Sequence, residues 1–239
     1  MQLLRIRELR GKIILKSGLR IGAGDIEMRI GGTDNPIIKH PNTQEPYIPG
    51  SSIKGKVRSL LEMQSGLMGL TRGGTLQPKH LQGVEGEQKE ACEKILKMFG
   101  SSGADSGEAT ELGPTRVSFA DCPITSDWRT RVRTERLSLS EVKPENSINR
   151  IKGTAENIRF TERVPANTEF DFSVCLKILE TEEDELFSTL LRGLKLLELD
   201  ALGGSGSRGY GKINFEFFDQ KIREDFDKID PFSSGGRQL

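Results

Sequence analysis

The chain has 239 residues, enough to bury a substantial core as one domain with insertions. Lys+Arg and Asp+Glu both number 35, and a net charge of zero argues against a free-standing, charge-driven nucleic-acid binder while leaving room for a local basic groove. Three scattered cysteines (Cys92, Cys122, Cys175) without CxxC imply reduced thiols in a cytoplasmic setting, and neither the charged start MQLLRIRELRGK nor any later apolar run reads as a secretory signal or a membrane span.

Leu3 to Leu15 reads as a strand, with a bulge or bend expected at Arg10-Gly11-Lys12. Gly18 to Pro36 is a glycine-rich loop holding Asp25, Glu27 and Asp34, and Pro41 to Pro49 is turn chemistry. Next, Ser51 or Ser52 is placed to cap a short amphipathic helix whose buried side is Ile53, Val57, Leu60 and Leu61. Lys54 and Arg58 lie four apart on another face. Free N–H groups, two hydroxyls and a basic pair at a helix start suit an anion, most simply a phosphate. The same stretch also reads as an ordinary capped surface helix.

Residues 64–113 break the pattern with repeated glycines and read as an insertion lying over the domain. It holds one clear helix, Glu87 to Phe99, with Ala91, Ile95, Met98 and Phe99 on one side, then a flexible loop from Gly100 to Gly107. Thr115 to Ala120 is a strand. Arg129, Arg131 and Arg133 alternate and would share one face of an extended segment. Glu141 to Arg163 is a polar hairpin with its tip at Lys152-Gly153-Thr154, too polar for a core of its own and so expected to project. Glu169 to Leu179 alternates as a half-buried strand, and Glu182 to Leu199 is a helix with a leucine-rich stripe. Gly203 to Gly211 is a glycine loop running into a last strand, Lys212 to Phe218. The tail from Asp219 reads as loose or held by a neighbour.

Without the insertions, the order is strand, helix, strand, strand, helix, strand. That predicts an α+β, ferredoxin-like βαββαβ core with a helical lid (64–113) and a projecting hairpin thumb (141–163), all within one domain spanning 1–239. The aromatic signature of ordinary RNA-recognition motifs is missing, so any RNA contact would use backbone and shape. Gly204 to Gly209 fits GxGxxG and Gly206 to Lys212 fits GxxxxGK. Both patterns need a strand before and a helix after, whereas here a helix precedes and a strand follows; Ile213 also stands where a Mg²⁺-binding hydroxyl belongs. What remains is a backbone that N–H donors can bring close to phosphate, with Ser205, Ser207 and Arg208 adding donors, or else a tight turn serving only the fold.

IPGSSIKGKVRSLLE near the start, LGGSGSRGYGKI near the end and the polar EVKPENSINRIKGTAENIRFTERVPANTEF between them together resemble the RAMP superfamily of CRISPR effector proteins. Within it the chain looks like the repeating backbone subunit of type III-A Csm interference complexes, over about Leu3 to Phe218. The resemblance implies a filament of copies along one CRISPR RNA, bound with other Csm subunits and with target RNA. Ser51, Ser52, Lys54 and Arg58 would touch guide phosphates, with Gly203, Gly204, Ser205, Gly206, Ser207 and Arg208 as the facing wall and Arg129 and Arg131 adding basic surface. The thumb, with Asn146, Asn149, Arg150 and Ile151 at its outer end, would displace one base pair of the guide–target duplex per subunit. The family's catalytic aspartate matches Asp34. It would act with a divalent metal, usually Mg²⁺, in cutting target RNA beside each displaced nucleotide, either by holding the metal or by orienting the ribose hydroxyl. Two other readings compete: a scaffold subunit that binds guide without cutting, and a stand-alone guide-processing nuclease, which the two histidines (His40, His80) disfavour. His40 is a weaker candidate base. Zinc is not expected, because only His80 and Cys92 lie in the insertion.

Overall fold

The computed structural model describes residues 2–24, 35–101, 112–179 and 184–233. Its centre is β1 (Arg5–Leu15). Leu9, Ile13 and Leu15 alternate onto one face and are buried, while Glu8, Arg10 and Lys12 point to the other. The pairing of β1 with β7 (Glu169–Ile178) runs without a break from Arg5↔Ile178 to Ile14↔Glu169, so the bulge expected at Arg10-Gly11-Lys12 is absent. Gly11 has a different cause. It pairs with Phe217 of β8 (Ile213–Phe217), and a Cβ there would overlap the Glu216 carbonyl oxygen.

With β3 (Val117–Phe119) the sheet has the antiparallel order β3-β7-β1-β8, the strand order of a ferredoxin-like βαββαβ unit. Two long helices, α1 (Gly50–Gln64) and α5 (Asp184–Leu199), cover its apolar face. They approach closely at Gly193, where a Cβ would stand 2.6 Å from Val57 and 3.0 Å from Leu61. A short β2 (Tyr47–Ile48) just before α1 pairs with β4 (Cys122–Pro123), and the insertion with α2 (Met68–Thr71) and α3 (Gly86–Phe99) follows α1. Cys92, Ile95, Leu96, Met98 and Phe99 of α3 join the main core. The expected loop beyond residue 101 falls outside the described residues.

Two expectations are corrected. The segment with Arg129, Arg131 and Arg133 is not extended: it is helix α4 (Ser126–Glu135), capped by the Thr125 hydroxyl, which accepts from the Trp128 N–H. Residues two apart on a helix diverge, so Arg131 leaves the face that Arg129 and Arg133, four apart, share. The described part of the tail, 219–233, is not loose either. Asp219 caps α6 (Gln220–Asp227), whose Phe226 is buried edge-on against Phe217, with ring centroids 4.9 Å apart.

Candidate nucleic-acid interface

The glycine bend between α5 and β8 is built from left-handed backbone. Gly203, Ser205, Gly209 and Gly211 have φ of 74°, 64°, 81° and 72°. Side chains are excluded at two of these positions, since a Cβ on Gly203 would overlap the Arg20 carbonyl and one on Gly211 the Leu202 carbonyl. The Gly204 N–H donates to the Arg20 carbonyl and the Gly211 N–H to the Gly18 carbonyl, each at 2.9 Å. Ser207, Arg208 and Gly209 are left exposed at the crest. Arg208 is held there by Ser205 Oγ at 2.6 Å and by Glu145 at 3.3 Å.

The loop after β1 runs from this bend to the thumb. Its two described ends pair at Gly22↔Ile37, and the Arg20 guanidinium donates to Asn35 Oδ1 at 2.9 Å. Asn35 in turn bridges to Thr161, and its carbonyl accepts from the Glu162 N–H. The Glu162 carboxylate accepts from the Ile37 N–H (3.1 Å) and from Lys39 (2.5 Å). Asp34 lies outside the described residues, as do Asp25 and Glu27, but the residue next to Asp34 is tied to both the glycine bend and the thumb base.

The thumb is the antiparallel pair β5 (Glu141–Ile148) and β6 (Ala155–Arg163). Asn149 organises its tip: its Oδ1 accepts from the Ile151 and Lys152 N–H groups, its carbonyl from Gly153, and its own N–H donates to Thr154. Arg150 is exposed and Ile151 is 97 % exposed. Asn146 sits at a register shift between Glu145 and Ser147, opposite a strand in which Asn157 has φ 55°.

The start of α1 differs from expectation. The helix begins at Gly50 after Pro49, and neither serine caps it. The Gly50 N–H donates instead to Asp121 Oδ1 at 2.8 Å, and a Cβ at Gly50 would overlap the Phe119 carbonyl. Ser51, exposed, and Ser52, half-buried, therefore keep their hydroxyls free of capping. Lys54 has no carboxylate partner among the described residues; burial first, and then the Arg58 charge, lower its pKa. The Lys56 ammonium reaches Asp200 at 2.6 Å, which joins α1 to the residue after the end of α5, three before Gly203.

Three arginines assigned to RNA have other partners. Arg58 bonds Glu62 at 2.7 Å and the carbonyls of Gly100 (2.9 Å) and Leu76 (2.6 Å), with its side chain 13 % exposed. Arg129 makes a forked pair with Glu45 at 2.8 and 3.0 Å, and Arg131 pairs with Glu135 while lying over Trp128. These guanidiniums hold α1, the insertion and α4 in place. Arg20 was missed by sequence reasoning. Its Nε is buried without a hydrogen-bond partner, and no carboxylate pairs with it among the described residues. A single arginine in a glycine loop gives no pattern that would have found it.

His40 Nδ1 accepts from the N–H groups of Asn42 and Thr43, closing its own turn. His80 Nδ1 accepts from the Gln77 N–H. Burial, followed by the charges of Glu93 and Glu62, pushes the Cys92 thiol up to about 11, disfavouring the thiolate that a metal needs. Among the described residues, no three His, Cys, Asp or Glu side chains gather as a metal cage, and no helix is long and apolar enough to cross a membrane.

Residues 12–214 match the RAMP superfamily. A relative from Methanothermobacter thermautotrophicus, described as a CRISPR system Cms endoribonuclease Csm3, is 41 % identical over 231 residues, covering 90 % of this chain and 85 % of the relative. One of the same description from Methanocaldococcus jannaschii is 41 % identical over 209 residues, covering 87 % and 77 %. Among solved structures, a Csm3–Csm4 subcomplex of the type III-A CRISPR-Cas interference complex superposes with a TM-score of 0.55 at 27 % identity, over 99 % of this chain and 100 % of that one.

Proposed function

Since the chain belongs to the RAMP superfamily, we propose that it is a backbone subunit of a type III-A interference complex. It grips CRISPR RNA and cuts complementary target RNA as an endoribonuclease. Its partners are guide and target RNA, further copies of itself along the guide and other Csm subunits, in the cytoplasm. The observation that carries this reading is the meeting of three elements. The glycine bend, the loop flanking Asp34 and the thumb base are tied together through Arg20, Asn35 and Glu162.

The guide must stay free to pair, so the protein holds its sugar–phosphate backbone. The stretch Gly203 to Arg208 offers backbone and one guanidinium, exposed at Ser207 and Arg208, and Ser51, Ser52 and Lys54 at the start of α1 would add donors to the same strand. Arg58, Arg129 and Arg131 are left out because their charges are already spent on Glu62, Glu45 and Glu135. The thumb, with Asn146, Asn149, Arg150 and Ile151 in its outer half, parts one base pair and bares a ribose-phosphate linkage next to Asp34. Holding the ribose 2′-oxygen in line with that phosphate is the chain's main contribution to the rate. Asp34 orients the hydroxyl or takes part in binding a divalent cation. A hard ion such as Mg²⁺ suits a single aspartate, because Mg²⁺ is held by one or two carboxylates and takes its remaining oxygens from phosphate and water. Once bound, it would neutralise charge on the phosphate. The lid (64–113) and thumb (141–163) are treated as insertions of a single domain.

The test is to incubate the assembled complex with matched target RNA and Mg²⁺. Evenly spaced products are expected, lost on chelation. Asp34→Ala should abolish cutting while assembly and target binding persist. Cutting that continues at the wild-type rate in Asp34→Ala would leave the chain as a scaffold or move the catalytic assignment elsewhere.

A further inference from the structure

Tyr210 is fully buried although it lies inside the glycine bend, between Gly209 and Gly211, both of left-handed backbone. That geometry turns its ring out of the bend and into the base of the thumb. Lys143 of β5 stands 4.6 Å from the ring centroid, and Arg163 of β6 stands 5.0 Å from it. Each thumb strand thus places one cation on the same aromatic ring. Arg163 is fixed from behind: it donates to Glu141 at 2.6 Å and lies against Gly18, where a Cβ would collide with its side chain. The phenol oxygen and Glu145 Oε1 are both buried and make no hydrogen bond among the described residues. Burial, and then the neighbouring Glu145 carboxylate, push the phenol above its usual pKa. Glu145 is also the last residue before the register shift in the hairpin, so both cations on the ring belong to the part of the thumb below the break.

We propose that Tyr210 is a positioning residue for target cutting: its ring, held between Lys143 and Arg163, fixes the angle of the thumb against the guide-binding glycine bend. A two-stranded hairpin is marginal by itself in water. Its orientation must come from what holds its base, and Tyr210 is the one residue of the bend whose ring meets both strands. Guide contact belongs to the exposed crest, whereas thumb angle belongs to this buried ring. The two are separable, although the inference rests on the guide-and-target reading above.

The full chain is assembled with guide RNA and compared as wild type, Tyr210→Phe and Tyr210→Leu, with Lys143→Met as a second approach should Tyr210→Leu lose its cooperative unfolding transition. Tyr210→Leu should keep guide affinity within about twofold and slow target cutting by roughly tenfold or more, the scale expected for small misplacement of reacting groups. Amide exchange should accelerate in 141–145 and 159–163 and stay unchanged in the sheet. Tyr210→Phe, which keeps the ring, should recover most of the rate, and Lys143→Met should fall between them. Wild-type exchange and cutting in Tyr210→Leu, or a loss in Tyr210→Phe equal to that in Tyr210→Leu, would overturn the proposal. If the wild-type complex itself fails to cut complementary RNA, the functional reading fails, while the exchange measurement still decides the role of Tyr210.

Discussion

Arg58 is a basic residue beside a phosphate-like motif whose hydrogen-bond partners among the described residues all belong to the fold. Its guanidinium pairs with the buried Glu62 and caps two carbonyls of the insertion, Leu76 and Gly100. Removing one member of a buried pair leaves the other charge uncompensated, at a cost of about 3–5 kcal/mol. Arg58→Ala should therefore lower unfolding stability in urea by about that amount, while guide affinity per folded molecule changes little. Glu162 is a buried carboxylate through which pH acts on the fold. Burial alone would raise its pKa, but hydrogen bonds from Lys39, Ser140 and the Ile37 N–H, with the Lys39 charge, outweigh burial and leave it below 4.5. A depressed folded pKa means stability that is complete above the unfolded value and lost as pH falls through the folded one. Wild-type denaturation midpoints should therefore drop on acidification below about pH 4.5, and Glu162→Gln should flatten that slope while lowering the neutral-pH plateau. An unchanged slope would show that Glu162 is not the group responsible.

At the scale of elements, local signals and long-range contacts carried different kinds of information. Strand β7 was legible because Phe170, Phe172, Val174, Leu176 and Ile178 alternate, and periodicity is a local property. Helix α4 was misread because three arginines at alternate positions fit a strand, while the Thr125 cap and the buried Trp128 that favour a helix are single residues. The tail was misread for a similar reason: α6 has one fully buried anchor, Phe226, and its partners Phe215 and Phe217 lie on another element. Phe226→Ala should cost about 3–5 kcal/mol by emptying that contact, seen as a lower midpoint in chemical denaturation. A loose tail would show no change.

For the whole molecule, zero net charge means that RNA affinity must come from where cations are left unpaired rather than from their number. Carboxylates neutralise many of the arginines and lysines. Arg20 and Lys54 have none among the described residues, and Arg208 is held 3.3 Å from Glu145 at an exposed crest. The salt dependence of guide binding should therefore be modest. Lys54→Ala, which removes a cation with no carboxylate partner among the described residues, should reduce the slope of log affinity against log salt by about 0.7, the contribution of one phosphate contact on a single strand. Arg131→Ala, which removes a cation already paired with Glu135, should leave the slope unchanged.

The sequence alone determined the order of the strands and helices of the βαββαβ core, the polar hairpin, and the two glycine-linked motifs, because each is written in neighbouring residues through period, turn chemistry and backbone freedom. Only the tertiary structure decided which cations are spent on the fold, that Gly11 and Gly50 serve close backbone approach, and that Asn35, Arg20, Glu162 and Tyr210 meet between bend and thumb. Those outcomes depend on which surfaces the folded chain brings within a few ångströms of each other, and residues as far apart as Arg20 and Gly204 carry no mark of that meeting in the order of the chain.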